Sequence, residues 1–163
     1  MASKTDFTAE EWQLVTTAPQ LASLYITFAS PSGLIGAVKE VAVYPRLIVE
    51  TLKNSSDNDL VNAVANDFKA MMERKERPQL PVAGKKPDEV KSVSLQKLGE
   101  LAAMLAAKPL PEAEGFKQWV YKVARGSAEA SKEGGFLGFG GTQVNEAEAN
   151  ALQEIAAALG ITV

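Results

Sequence analysis

The chain has 163 residues, a formal net charge of −3 and a sequence pI of about 5.1, and this length is enough to bury the core of one domain without cross-links. It contains neither cysteine nor histidine, which excludes disulfides, thiolate metal sites, cysteine nucleophiles, Ser-His-Asp triads and His-rich zinc sites. Lys and Arg are dispersed rather than gathered into a stripe, so no nucleic-acid partner is expected.

The first seven residues carry no secretory n-region or h-region, and a cytoplasmic chain is the expectation. Thr8 and Glu11 form a capping box preceded by Phe7, so a helix should start there and run to about Ala29. Leu14, Ala18, Leu21, Tyr25 and Phe28 make its apolar stripe, and Pro19 is expected to kink or split it. Residues 12–38 contain no charge. Gln13, Thr16, Thr17, Gln20, Ser23 and Thr27, with Pro19 and Pro31, nevertheless break that stretch, and no apolar run of about 20 residues remains to span a membrane.

Ser30 as N-cap and Pro31 at the first helical position should open a second segment covering residues 34–43. Pro45 interrupts it before residues 46–52, and Ser56 or Asp57 is placed to cap a helix bearing Leu60, Val61, Val64, Phe68, Met71 and Met72. Residues 77–87 hold Pro78, Pro81, Gly84 and Pro87, an extended connector between two halves of the chain. Beyond it, Val90, Leu98, Leu101 and Leu105 mark one helix, and Phe116, Trp119, Val120, Val123 and Ala124 mark another that Gly134 and Gly135 should end. Asn145 caps a last helix that stops at Gly160. The expected fold is all-α: a compact bundle of about six or seven helices in a single domain. Its two halves share a faint similarity, a Gly-apolar-apolar-Gly run at residues 33–36 and 135–138, on which no duplication is built.

Two segments stand out as candidate binding surfaces. Residues 134–141 place five glycines around Phe136, Leu137 and Phe139. They lack the Gly-Lys-Ser/Thr ending of a phosphate loop and follow no strand, so phosphate and dinucleotide binding are set aside. Gln13, Thr16, Gln20, Ser23 and Thr27 share one side of the first helix. A solvated helix face normally carries Lys and Glu, so this uncharged side should either be covered by protein or line a cavity. Glu40, Glu146 and Glu148 are the only carboxylates singled out as metal candidates, and they do not cluster in sequence. Residues 57–59 lack the glycine and closing Glu of a calcium loop and read as a helix cap.

The runs AEASKEGGFLGFGG at 128–141, VNEAE at 144–148 and ASPSGLIG at 29–36 with Glu40 resemble those of small bacterial all-α proteins. An acid-led final helix ending Ala-Leu-Gly is, more distantly, similar to the TerB-like helical group, a resemblance that implies stress response and metal binding. The functional expectation from the residues is a non-enzymatic helical interaction module, expected to self-associate or to bind a protein partner through the uncharged face and the glycine-rich hairpin, with no cofactor. The alternative is a small-molecule or lipid-binding protein whose apolar pocket is gated by Phe136, Leu137 and Phe139.

Turn and docking tip make opposite forecasts for the glycine run. If it is a turn that requires φ > 0, Gly135→Ala and Gly140→Ala should each lower stability by about 1 kcal/mol, and Phe136→Ser or Phe139→Ser by about 3 to 5 kcal/mol. If it is a docking tip, thermal melts of all four variants should match the parent.

Overall fold

A computed structural model describes residues 1–29, 43–54, 56–133 and 146–163. The glycine run with Phe136, Leu137 and Phe139, the segment holding Glu40, and the caps expected at Ser30 and Asn145 lie outside the described residues. Within them the chain is helical, with no strand. A short 3₁₀ turn precedes α1 (Ala9–Ala29), α2 (Val43–Asn54), α3 (Asp59–Glu73), α4 (Pro87–Ala106), α5 (Ala113–Glu133) and α6 (Glu146–Leu159). Among the described residues no helix is long and apolar enough to cross a membrane.

α1 starts where its sequence says it should. The Thr8 amide donates to the Glu11 carboxylate at 2.8 Å while the Glu11 amide donates to Thr8 Oγ1 at 3.2 Å, the reciprocal capping box. Phe7 packs on Trp12 with ring centroids 5.7 Å apart, the contact of a hydrophobic staple across the first turn. The Thr8 amide, followed by the Lys108 ammonium at 3.0 Å, holds the Glu11 carboxyl below its ordinary value.

From there α1 becomes the axis of the molecule, touching each of the other five helices, most extensively α4 and α5. Its buried residues fall on more than one side: Trp12, Val15, Ala18, Leu21, Ala22, Tyr25 and Ile26 are all buried, and so are Thr17, Ser23 and Thr27. A helix enclosed on most sides cannot carry charge without desolvating it, which accounts for the uncharged run. Pro19 sits inside α1 and does not divide it. The proline removes the amide that would reach the Val15 carbonyl and crowds that carbonyl with its ring, at a cost of about 3 kcal/mol, and the packing around α1 outweighs that loss.

The main core joins α1 to Leu60, Val61 and Val64 of α3, Leu98, Leu101 and Leu105 of α4, Phe116, Val120 and Ala124 of α5, and Ile155 and Leu159 of α6. Residues from both sides of the connector therefore share one cluster. The connector is non-helical, as its prolines require, and it seats Val82 against Leu21 and Val90.

Some boundaries differ from the sequence reading. Pro45 lies within the first turn of α2 instead of ahead of it, where a missing amide costs little because the first four amides of a helix have no intrahelical acceptor. α3 is capped by Asn58, whose Oδ1 accepts from the Val61 amide at 3.0 Å, whereas Ser56 Oγ accepts from the Asn58 amide. Asn58 also donates to the Glu112 carbonyl at 2.8 Å, and that tie to the start of α5 explains why it, and not Ser56 or Asp57, takes the cap. Gly160 has φ +64° and stops α6. Met72 is 57% exposed and is not core.

Inside the bundle Ser23 Oγ and Ser127 Oγ are 2.7 Å apart and both residues are buried, joining α1 to α5. Ser127 also donates to the Val123 carbonyl at 3.1 Å. Ser127→Ala should therefore cost more than Ser23→Ala, about 1 to 3 kcal/mol, because it strands the Ser23 hydroxyl. The double variant should be more stable than the two losses added together. Chemical denaturation of the four proteins measures the cycle.

Candidate functional site

The uncharged residues of α1 meet two different environments. Ser23 and Thr27 are engaged inside the chain, Ser23 by Ser127 and Thr27 by a 3.1 Å hydrogen bond from its Oγ1 to the Ser23 carbonyl. Gln13, Thr16 and Gln20 instead line a cleft of about 260 Å³ together with Trp12, Tyr44, Phe68 and Met71. The cleft is built by α1, the start of α2, one face of α3 and Pro78 and Gln79 of the connector.

Local sequence explains each wall. The capping box and staple fix the first turn of α1 and hence the Trp12 ring. Trp12 Nε1 donates to Asp67 Oδ2 of α3 at 3.0 Å, and Lys4 Nζ lies 3.5 Å from Asp67 Oδ1 and 5.9 Å from the centre of the Trp12 ring. The indole is thus held by a charge-assisted hydrogen bond and by a cation. Tyr44 enters at the start of α2 and meets Phe68 of α3 edge to face, with centroids 5.0 Å apart, an arrangement favoured by the ring quadrupoles. Thr16 and Gln20 occupy successive i, i+4 positions along the half-buried edge of α1.

The polar groups of the cleft differ in how far they are already engaged. Thr16 Oγ1 donates to the carbonyls of Trp12 and Gln13 at 3.0 and 3.1 Å, and Thr17 Oγ1 donates to Gln13 at 2.7 Å. Gln13 Nε2 reaches the Gln79 carbonyl at 3.4 Å. Tyr44 is only 4% exposed, and its hydroxyl makes no hydrogen bond of normal geometry. Burial pushes the Tyr44 hydroxyl well above its ordinary pKa, against the effect of the neighbouring Gln20 amide and with that of the Asp67 carboxylate. The phenol therefore stays neutral and protonated, a donor held in an apolar wall.

Glu146 is exposed, whereas Glu148 is buried. Among the described residues no group of three carboxylates could hold a metal ion. The Tyr25 hydroxyl donates to Glu154, joining α1 to α6 away from the cleft. Sequence reasoning missed Tyr44 and Trp12 as lining residues, because Trp12 reads only as the start of the uncharged run and Tyr44 lies between two proline-bounded segments. The Phe7–Trp12 spacing across a capping box is the signal that could have found the indole; Tyr44 has none.

No protein-family model, curated protein or solved structure matches this chain.

A buried hydroxyl without an acceptor lowers stability, and its removal relieves that cost. Tyr44→Phe should therefore leave the melting temperature unchanged or raise it, by up to about 1 kcal/mol in stability. Phe68→Ala, which removes the ring on which Tyr44 packs, should lower it. Thermal denaturation of the ligand-free protein checks both.

Proposed function

We propose that this chain is a non-enzymatic binding module for a small, largely apolar molecule, held in the cleft between α1, α2 and α3. The observation that carries this reading is the concave cleft whose wall brings together Trp12, Tyr44, Phe68 and Met71, with Gln13, Thr16 and Gln20 among its lining residues. Concave apolar sites with a few placed polar groups are the usual form of small-ligand pockets.

Binding, rather than chemistry, is what these side chains are equipped for. The cleft's polar side chains are neutral amides and hydroxyls apart from Lys4, whose ammonium lies 3.5 Å from Asp67, the carboxylate that also takes the Trp12 indole hydrogen. The competing proposal, a self-associating module, draws on the uncharged face of α1 and on the glycine-rich hairpin. Ser23 and Thr27 of that face are enclosed within the chain, which favours the cleft over contact between copies.

The two tryptophans of the chain provide a direct assay, since Trp12 lines the cleft and Trp119 does not. Titration of ¹⁵N-labelled protein with 2-acetylnaphthalene should shift the Trp12 indole N–H resonance and leave that of Trp119 in place. Thr16→Trp, which fills the cleft, should abolish the shift. A Trp12 resonance unmoved at saturating probe would refute the reading.

A further inference from the structure

A second groove lies beside the C-terminal part of α1, apart from the aromatic cleft. We propose that it binds a single anionic amphiphile of the fatty-acid kind, with the alkyl chain along Leu24 and Phe28 and the carboxylate met by Arg77 and Lys85.

The groove is formed by α1, the connector and the first turn of α4, and its volume of about 760 Å³ falls among those of ligand sites, about 300 to 1,000 Å³. Its floor is a small core of its own. Val82 and Val90 are buried there with Leu21, and Leu24, Phe28 and Leu80 pack on that cluster while only half-buried. These three side chains are the apolar surface left to a ligand. Leu24 and Phe28 are one i, i+4 step apart, so their strip follows the helix for about 6 Å, a shape suited to an extended alkyl chain. The connector closes the other side through a turn, in which the Ala83 amide donates to the Leu80 carbonyl at 3.2 Å and the Lys85 amide to the Val82 carbonyl at 3.1 Å. Gly84, at φ +74°, allows it. The turn buries Val82 and brings Lys85 to the groove lining.

Charge selects the head group. Residues 77–86 hold Arg77, Lys85 and Lys86 and no carboxylate, in a chain of net charge −3. Arg77 and Lys85 line the groove and are exposed. Among the described residues neither forms an ion pair and no carboxylate lines the groove. The acids next in sequence are engaged elsewhere: Glu76 pairs with Arg74 at 3.0 Å, and Glu89 accepts the Lys86 amide at 3.0 Å. An apolar strip beside two cations without counterions complements a molecule with an apolar chain and an anionic head. Binding to a membrane surface requires apolar side chains that project into the lipid. Here they line a depression, on a chain whose net charge is negative, which favours a free amphiphile over an anionic bilayer.

The test titrates the methyl- and ¹⁵N-labelled full chain with decanoate, 1-decanol, decyltrimethylammonium and hexanoate below their micelle concentrations. The methyl resonances of Leu24, Leu80 and Val82 report the groove, and the Trp12 indole N–H reports the cleft. Decanoate should move the groove methyls and leave Trp12 in place. It should bind about 10-fold more tightly than hexanoate, the effect of four methylenes each covered on one side. Replacing both cations, Arg77→Gln with Lys85→Gln, should weaken decanoate about 5-fold, the size of two exposed charge contacts, and leave 1-decanol unchanged. If the double variant binds decanoate like the parent, or decyltrimethylammonium binds as tightly, the anionic head is wrong. If decanoate moves Trp12 and not the groove methyls, or moves neither, the groove is not its site. If vesicles of equal parts phosphatidylglycerol and phosphatidylcholine sediment the protein while free decanoate moves no methyl, the occupant is a membrane and the inference fails. The response of Trp12 to 2-acetylnaphthalene decides the cleft separately.

Discussion

The enclosure of α1 by the other helices is the constraint on which the rest of the structure depends. Each of α2 to α6 packs against it, so for most of its side chains the transfer out of water must be offset by apolar burial or by internal hydrogen bonds. The chain meets this requirement with small and apolar residues at the tightest contacts, Ala18 and Ala22 among them, and with hydroxyls that return to the helix backbone. Thr16, Thr17 and Thr27 each donate to a carbonyl of α1. A Lys or Glu at those positions would bring a charge into the core with no partner. The absence of charge at the buried positions of α1 is thus a packing requirement.

Much of the architecture was legible because it is written locally. The capping box at Thr8 and Glu11, the non-helical connector rich in proline and the stop at Gly160 depend on a few neighbouring residues each. The expectations that shifted are those decided by distant contacts. Of the two outcomes expected at Pro19, a kink or a split, the split does not occur: the helices packed around it hold the segment in one helix. Asn58 rather than Ser56 caps α3 because the Glu112 carbonyl, 54 residues away in sequence, engages its amide. The apolar stripe read for α1 was too narrow, since period 3.6 reports one buried face and α1 buries several.

The candidate site was legible in part, for the same reason. An uncharged polar side on a helix signals shelter from bulk water but does not say what supplies it. At Ser23 the shelter is Ser127 of α5, and at Gln13, Thr16 and Gln20 it is the rim of a cleft. The two cases differ in the partner helix alone, which lies 104 residues from Ser23 in sequence and much nearer to the cleft residues. Tyr44 carries no local pattern at all; only its placement against Phe68 of α3 makes it part of the wall.

Helical geometry explains why the cleft opens where it does. Thr16, Gln20, Leu24 and Phe28 are half-buried residues of α1 spaced four apart. Each i, i+4 step turns by about 40° around the helix axis, so this less covered edge winds as it rises. Near Thr16 and Gln20 it faces α2 and α3, and near Leu24 and Phe28 it faces a second groove bordered by Val82 and Val90. Pro78 and Gln79 border both openings. The connector therefore lies along this partly open edge of the central helix, and the aromatic cleft occupies the end of that edge where Trp12, fixed by the first-turn cap, and Tyr44, fixed by Phe68, line it.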